Sequence, residues 1–183
     1  SEAGAGGTHF WLRRLDSTEL HRLDLEVAAD PFPPIWSPDS RFIVYTNGDQ
    51  VMKADIAGGV PQRLCEKCQA LGGAWTNDGT ILLGNIANIS RVPANGGPPV
   101  TVVDVNRAAG EAVVHPTLLP DGKHFLYVMA LNNSSGKTGL RVGSLDLKPE
   151  QQSKEWLLET GAGVSWVPPS GKSPGQLLYL SGT

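Results

Sequence analysis

Apolar positions along this chain come in short runs, never in helical stripes. No stretch places apolar residues at i, i+3, i+4 and i+7 for three turns without a Gly or Pro breaking it, so no long helix is predicted. Runs of aliphatic, β-branched and aromatic residues recur instead, at Phe42–Tyr45, Ile81–Leu83, Phe125–Val128 and Leu177–Leu180. Each is bounded by Gly, Pro, Asn, Asp or Ser, which marks it as a strand. Because consecutive positions are apolar, these strands are expected to be covered on both faces. The chain is all-β.

A repeated turn precedes each run. Ile35-Trp36-Ser37-Pro38-Asp39-Ser40, Ala74-Trp75-Thr76-Asn77-Asp78-Gly79 and Leu118-Leu119-Pro120-Asp121-Gly122 are three copies, and Trp166-Val167-Pro168-Pro169-Ser170-Gly171 is a degenerate fourth. Asp39, Asp78 and Asp121 follow one another at intervals of 39 and 43 residues, the period of a four-stranded propeller blade. Pro38 and Pro120 preset φ at the second turn position, and the Asp carboxylates accept neighbouring backbone N–H groups. Gly79 and Gly122 suit the left-handed position that closes the turn, whereas Ser40 is strained there. Trp36, Trp75 and Trp166 are large enough to wedge between neighbouring blades.

A second repeat follows each hairpin. Val51–Leu64 and Ile89–Val102 both read as strand, Gly-Gly turn, strand; Leu140–Asp146 with Trp156–Leu158 is a longer version, and Phe10–Asp16 with Leu20–Leu23 an earlier copy lacking its first hairpin. Each blade is therefore an inner hairpin followed by an outer one. Three complete blades are expected near 33–64, 72–103 and 113–158, with an outer half blade at 10–23 and an inner half blade at about 163–181. The halves join either within one chain, closing a four-bladed ring, or between chains, giving a symmetric dimer. The curvature expected of a larger ring favours the dimer.

These repeats resemble the TolB-like (WD-repeat-like) propellers over residues 8 to 183. The wording Phe10-Trp-Leu-Arg-Arg-Leu-Asp16, Asp55-Ile-Ala-Gly-Gly59 and Leu119-Pro-Asp-Gly-Lys-His-Phe-Leu-Tyr127 is similar to propellers at the C-terminal end of bacterial serine/threonine protein kinases. Leu118 replaces the Trp of the third copy, and the fourth copy has no Asp. The resemblance implies a non-enzymatic sensing or interaction module with a protein or peptide partner, outside the cytoplasm. Alternatives are the gating propeller of a prolyl-oligopeptidase-type peptidase and a TolB-type periplasmic scaffold.

Composition narrows the partners. Fifteen Lys and Arg against eighteen Asp and Glu leave a net charge of -3, without the cationic excess that nucleic acid requires. No apolar run is long enough to insert directly into a bilayer. Residues 1–7 read as a polar linker. No catalytic residues and no cofactor are predicted. Gly171-Lys-Ser-Pro-Gly175 matches a nucleophile elbow in letters only, because Pro174 lacks the N–H an oxyanion hole needs and a strand follows. Gly136-Lys137-Thr138 and Gly171-Lys172-Ser173 lack the leading Gly of a phosphate loop.

Cys65-Glu-Lys-Cys68 has no second ligand pair for zinc, which leaves either a local disulfide or two free thiols on a surface loop. His9, His21, His115 and His124 show no ligand spacing. Asn88, Asn132 and Asn133 begin glycosylation-type triplets that a bacterial origin makes irrelevant.

Overall fold

The computed structural model describes residues 8–27, 32–132, 136–160, 164–167, 171 and 175–179. Pro168, Pro169 and Ser170 of the degenerate fourth turn, Lys172, Ser173 and Pro174 of the elbow-like segment, Asn133 and residues 1–7 fall outside them. Three four-stranded antiparallel sheets follow one another, flanked by two two-stranded ones.

The first hairpin pairs β1 (Trp11–Leu12) with β2 (His21–Arg22). Blade one comprises β3 (Ile35–Trp36), β4 (Phe42–Asn47), β5 (Gln50–Asp55) and β6 (Gln62–Glu66). Blade two comprises β7 (Gly73–Trp75), β8 (Thr80–Gly84), β9 (Asn88–Pro93) and β10 (Val100–Asp104). Blade three comprises β11 (Glu111–Leu118), β12 (His124–Leu131), β13 (Thr138–Ser144) and β14 (Leu158–Glu159). A last hairpin joins β15 (Val164–Val167) to β16 (Gln176–Tyr179).

Within each blade the strands are hydrogen-bonded in chain order, so the inner pair does precede the outer pair. These are the blades of a β-propeller. The terminal hairpins form separate sheets and do not complete one another. Among the described residues, helix is confined to single 3-10 turns at Arg107–Ala109 and Pro149–Gln151.

The core lies between blades rather than within them. In blade one, Ile43 and Tyr45 pack with Leu23, Phe10 and Leu12 of the first hairpin. Val44, from the opposite face of the same strand, packs with Ile81, Leu83 and Val92 of blade two. Leu82 points the other way, joining Val113, Phe125, Tyr127 and Met129 of blade three. The period-two alternation of strand residues thus splits each apolar run between two layers. That is why the runs are apolar throughout.

Two polar contacts repeat across the blade boundaries. Lys53 Nζ donates to the Ala94 carbonyl at 2.6 Å, and Arg91 donates to the Leu145 carbonyl at 3.1 Å. Both cations sit two residues before the end of the third strand, and both acceptors occupy the equivalent position of the next blade. The third blade has Val142 there.

The turn between strands one and two has the expected conformation. Ser40, Gly79 and Gly122 take φ of 58°, 86° and 69°. Their N–H groups donate to the carbonyls of Ser37, Thr76 and Leu119. The preceding carboxylate then caps the loop: Asp39 accepts from the Arg41 N–H at 3.1 Å, Asp78 from Thr80 at 3.1 Å, and Asp121 from Lys123 at 3.0 Å. The same loops also hold strand three, since the N–H groups of Ile56, Ala94 and Leu145 donate to Arg41, Gly79 and Lys123.

Trp75 packs on Phe42 of the preceding blade, ring centroids 6.5 Å apart. Trp36, expected to wedge in the same way, is 45% exposed. The hairpin before it has no strand equivalent to β4, so no Phe42-like ring is present to receive it. Trp166 lies on β15, and its side chain falls outside the described set.

A left-handed serine costs about 1 kcal/mol relative to glycine. Ser40→Gly is therefore expected to raise stability by about that amount, read as a higher urea midpoint with an unchanged slope. An unchanged midpoint would show that the turn carries no strain.

Candidate functional site

The candidate catalytic patterns remain apart. Among the described residues no group of three His, Cys, Asp or Glu could hold a metal ion. The three aspartates are separate turn caps, one per blade, each engaged by its own loop. The Ser37 hydroxyl donates to Asp39 at 2.6 Å and accepts from the Phe42 N–H at 2.8 Å. Thr76 does the same in blade two, donating to Asp78 and accepting from the Thr80 N–H at 2.9 Å.

Leu119 has no hydroxyl, and blade three solves the problem differently. His124 supplies both its N–H, at 2.9 Å, and its ring Nδ1, at 2.6 Å, to the Asp121 carboxylate. His124 is thereby an extra cap of the third turn, a role the sequence reading did not give it. Pro38, Asn77 and Pro120 are exposed tips of these turns.

A different arrangement appears at the opposite ends of the blades, where strand two turns into strand three and one blade passes to the next. There the β4–β5 turn, the β6–β7 connection and the β8–β9 turn enclose a groove of about 640 Å³. Its floor is apolar, with Leu71 and Leu83, and its rim carries Asp49, Lys67, Asn85 and Asn88. Local bonds hold the rim. The Asn85 side-chain oxygen Oδ1 accepts from the N–H groups of Ala87 and Asn88 at 2.8 and 3.1 Å, and its side-chain nitrogen donates to Asn88 Oδ1 at 3.1 Å. The Asn88 side-chain oxygen also receives the Ser90 hydroxyl at 3.0 Å. Among the described residues the Asn88 side-chain nitrogen donates no hydrogen bond.

Cys65 and Cys68 form a disulfide, Cα atoms 6.2 Å apart, on the wall of this groove. Cys65 is anchored in the core between blades one and two. The three-residue separation forces the chain between them to turn sharply, and Lys67 takes φ of 54°. Main-chain and hydroxyl bonds fix the rest: Cys68 N–H to the Asp49 carbonyl at 3.0 Å, and a reciprocal pair between Thr46 and Ala70. Lys67 is exposed and, among the described residues, forms no ion pair. It is a positive charge held at the rim by the backbone beneath it.

His115 is the second unforeseen residue. It has φ of 55° at a bulge that shifts the β11–β12 register between Val114 and Thr117. The adjoining Pro116 fits against Gly84, where a built Cβ would stand 2.5 Å from the Pro116 ring. His115 Nδ1 comes similarly close to Gly72, at 3.1 Å from a built Cβ. The bulge aims an exposed imidazole at Gly72, in the connection between blades one and two. A non-glycine residue in this region is strained, and such residues concentrate at functional positions.

Comparison with known proteins supports the architecture. No protein-family model matches the chain, and no curated protein matches it significantly. A solved structure named as TolB from Agrobacterium tumefaciens superposes with a TM-score of 0.55 at 16% identity, covering 70% of this chain and 47% of that one. The chain thus spans less than half the length of that protein. The likeness establishes a TolB-like β-propeller fold.

The capping aspartates also set the response to acid. The Ser37 hydroxyl and the Arg41 N–H lower the Asp39 pKa, the Thr76 hydroxyl and the Thr80 N–H lower that of Asp78, and the His124 N–H, the His124 ring and the Lys123 N–H lower that of Asp121. Each folded value lies below the unfolded one of about 3.9. Their stabilisation is therefore present above that value and is lost as pH falls through the folded values. The Tm is expected to fall with acidification below about pH 4. A variant with Asp39, Asp78 and Asp121 all changed to Asn should lose part of this dependence and melt lower at neutral pH. Equal acid sensitivity in both proteins would remove the turns as its source.

Proposed function

We propose that this chain is a non-catalytic binding module that takes a protein or peptide partner in the groove between blades one and two. The observation that carries this reading is the rim itself: Lys67 and the Asn85–Asn88 pair are preorganised by covalent and main-chain constraints, yet keep hydrogen-bonding capacity that nothing among the described residues uses. An apolar floor with a few fixed polar groups is the usual composition of a recognition site. Preorganisation reduces the ordering cost of binding, which is where affinity is otherwise lost.

The same clip supports a compartment outside the cytoplasm, periplasmic or extracellular, because a four-residue disulfide loop persists where thiols are oxidised. Among the described residues no helix is long and apolar enough to cross a membrane. Wording at Phe10–Asp16, Asp55–Gly59 and Leu119–Tyr127 supports the finer reading, the extracytoplasmic sensor or interaction domain of a bacterial serine/threonine kinase. A TolB-type periplasmic scaffold is the second reading, favoured by the likeness in fold. The terminal hairpins add a further contact: β16 pairs with β1 of a second copy and makes a composite blade. Leu178 and Tyr179 on β16 are 70% and 44% exposed, whereas Val44 and Tyr45 on β4 are buried.

Site-specific photocrosslinking in living cells tests the groove. A photoreactive residue at Ile86, on the groove rim, is expected to give a discrete adduct that Lys67→Glu abolishes. The same residue at Val60, an exposed turn position on the other side of the blades, is expected to give none. Matching adducts from both positions, or none from Ile86, would refute the proposal.

A further inference from the structure

A second cavity has a different origin. In blades one and two, strand three reaches strand four through residues 56–61 and 94–99; in blade three the connection is residues 145–157, twice as long. This insertion folds back on the blade. Gln152 is buried and mimics a strand residue: its amide oxygen accepts from the Ser144 N–H at 2.9 Å, and its amide nitrogen donates to the Ser144 carbonyl at 2.8 Å. That pairing continues the ladder past the point where β14 stops. The 3-10 turn Pro149–Gln151 then packs over β10 of blade two. A cleft of about 590 Å³ is enclosed between blades two and three, with Tyr127 and Met129 at its base.

Charges of both signs line this cleft. Arg141 lies opposite Tyr127 in the sheet and its guanidinium stacks on Trp156, 4.4 Å from the ring centroid. Its Nε is buried with no hydrogen-bond partner. A buried unpaired donor costs about 1–3 kcal/mol, which a ligand acceptor would recover. Lys154 adds a second cation, while Asp104, Glu111 and Glu150 supply carboxylates.

None of the five forms an ion pair, among the described residues. The Asp104 and Glu111 carboxylates receive only the N–H groups of Val105 and Asn106. Opposite charges therefore line one cleft, too far apart to satisfy each other directly. A molecule carrying both signs bridges such a gap, whereas a simple anion would meet three carboxylates.

We propose that the insertion of blade three builds a site for a small zwitterion of the amino-acid or short-peptide class. Arg141 receives the carboxylate through its guanidinium fork, with Lys154 beside it. Glu150, exposed on the rim and without a cation of its own, receives the ammonium group. The base formed by Tyr127 and Met129 accommodates the aliphatic part. This site is separate from the groove between blades one and two and stands or falls independently of it.

Calorimetric titration of the whole chain with L-alanyl-L-alanine tests the assignment against two blocked forms, N-acetyl-alanyl-alanine and alanyl-alanine amide. The free dipeptide is expected to bind at least tenfold more tightly than either. Glu150→Gln alters an exposed side chain and should leave the Tm unchanged. It should reduce dipeptide binding to the level of the acetylated form without affecting that form. Arg141→Lys should weaken the free dipeptide and leave the amide unchanged. No measurable binding of the free dipeptide, or equal binding of all three forms, would overturn the proposal.

Discussion

The structure depends on coverage of the second strand of each blade from both sides. Ile81 and Leu83 bury against blade one while Leu82 buries against blade three, and all three are essentially inaccessible to water. Burial of such side chains contributes about 1.5–3 kcal/mol each, an amount a lone blade cannot collect because one face would stay wet. Blades therefore fold as a stack, each stabilised by its neighbours, in the nearest-neighbour manner of repeat proteins. Trp36 shows the converse. Its position is the same as that of Trp75, but the preceding hairpin offers nothing to cover it.

Polar chemistry then divides between the two ends of the blades. In each of the three complete blades the turn between strands one and two satisfies itself with a carboxylate, a left-handed residue and a hydroxyl or imidazole, leaving little capacity for a partner. At the other end the connections vary in length and content, and there the groove and the disulfide are found. Apart from the insertion at 145–157, the scaffold is uniform where it closes hairpins and individual where it joins blades. This is the usual arrangement of a rigid frame carrying variable loops.

The repeats were legible because their chemistry is local. Asp39, Asp78 and Asp121 announce the turns, the period gives the blade, and Ser40 could be read as left-handed from its alignment with Gly79 and Gly122. The groove was not legible, since it assembles Asp49, Lys67 and Asn88 from three connections, each of which reads alone as ordinary turn sequence. His115 carried no signal of its own, although Pro116 inside a strand, unable to donate to the ladder, marks a bulge or an edge. The pairing of Cys65 with Cys68 was one of two open readings, which the structure resolves as a disulfide. Arg141 looked like any strand cation until the insertion of blade three closed over it.

The contacts of Lys53 with Ala94 and of Arg91 with Leu145 have a consequence for descent. In each case the acceptor is a main-chain carbonyl, present whatever residue occupies the receiving position. Substitutions at 94 or 145 need no matching change at 53 or 91, so neighbouring repeats are free to drift apart while keeping their alignment. Duplicated blades joined in this way can lose nearly all common wording and still stack.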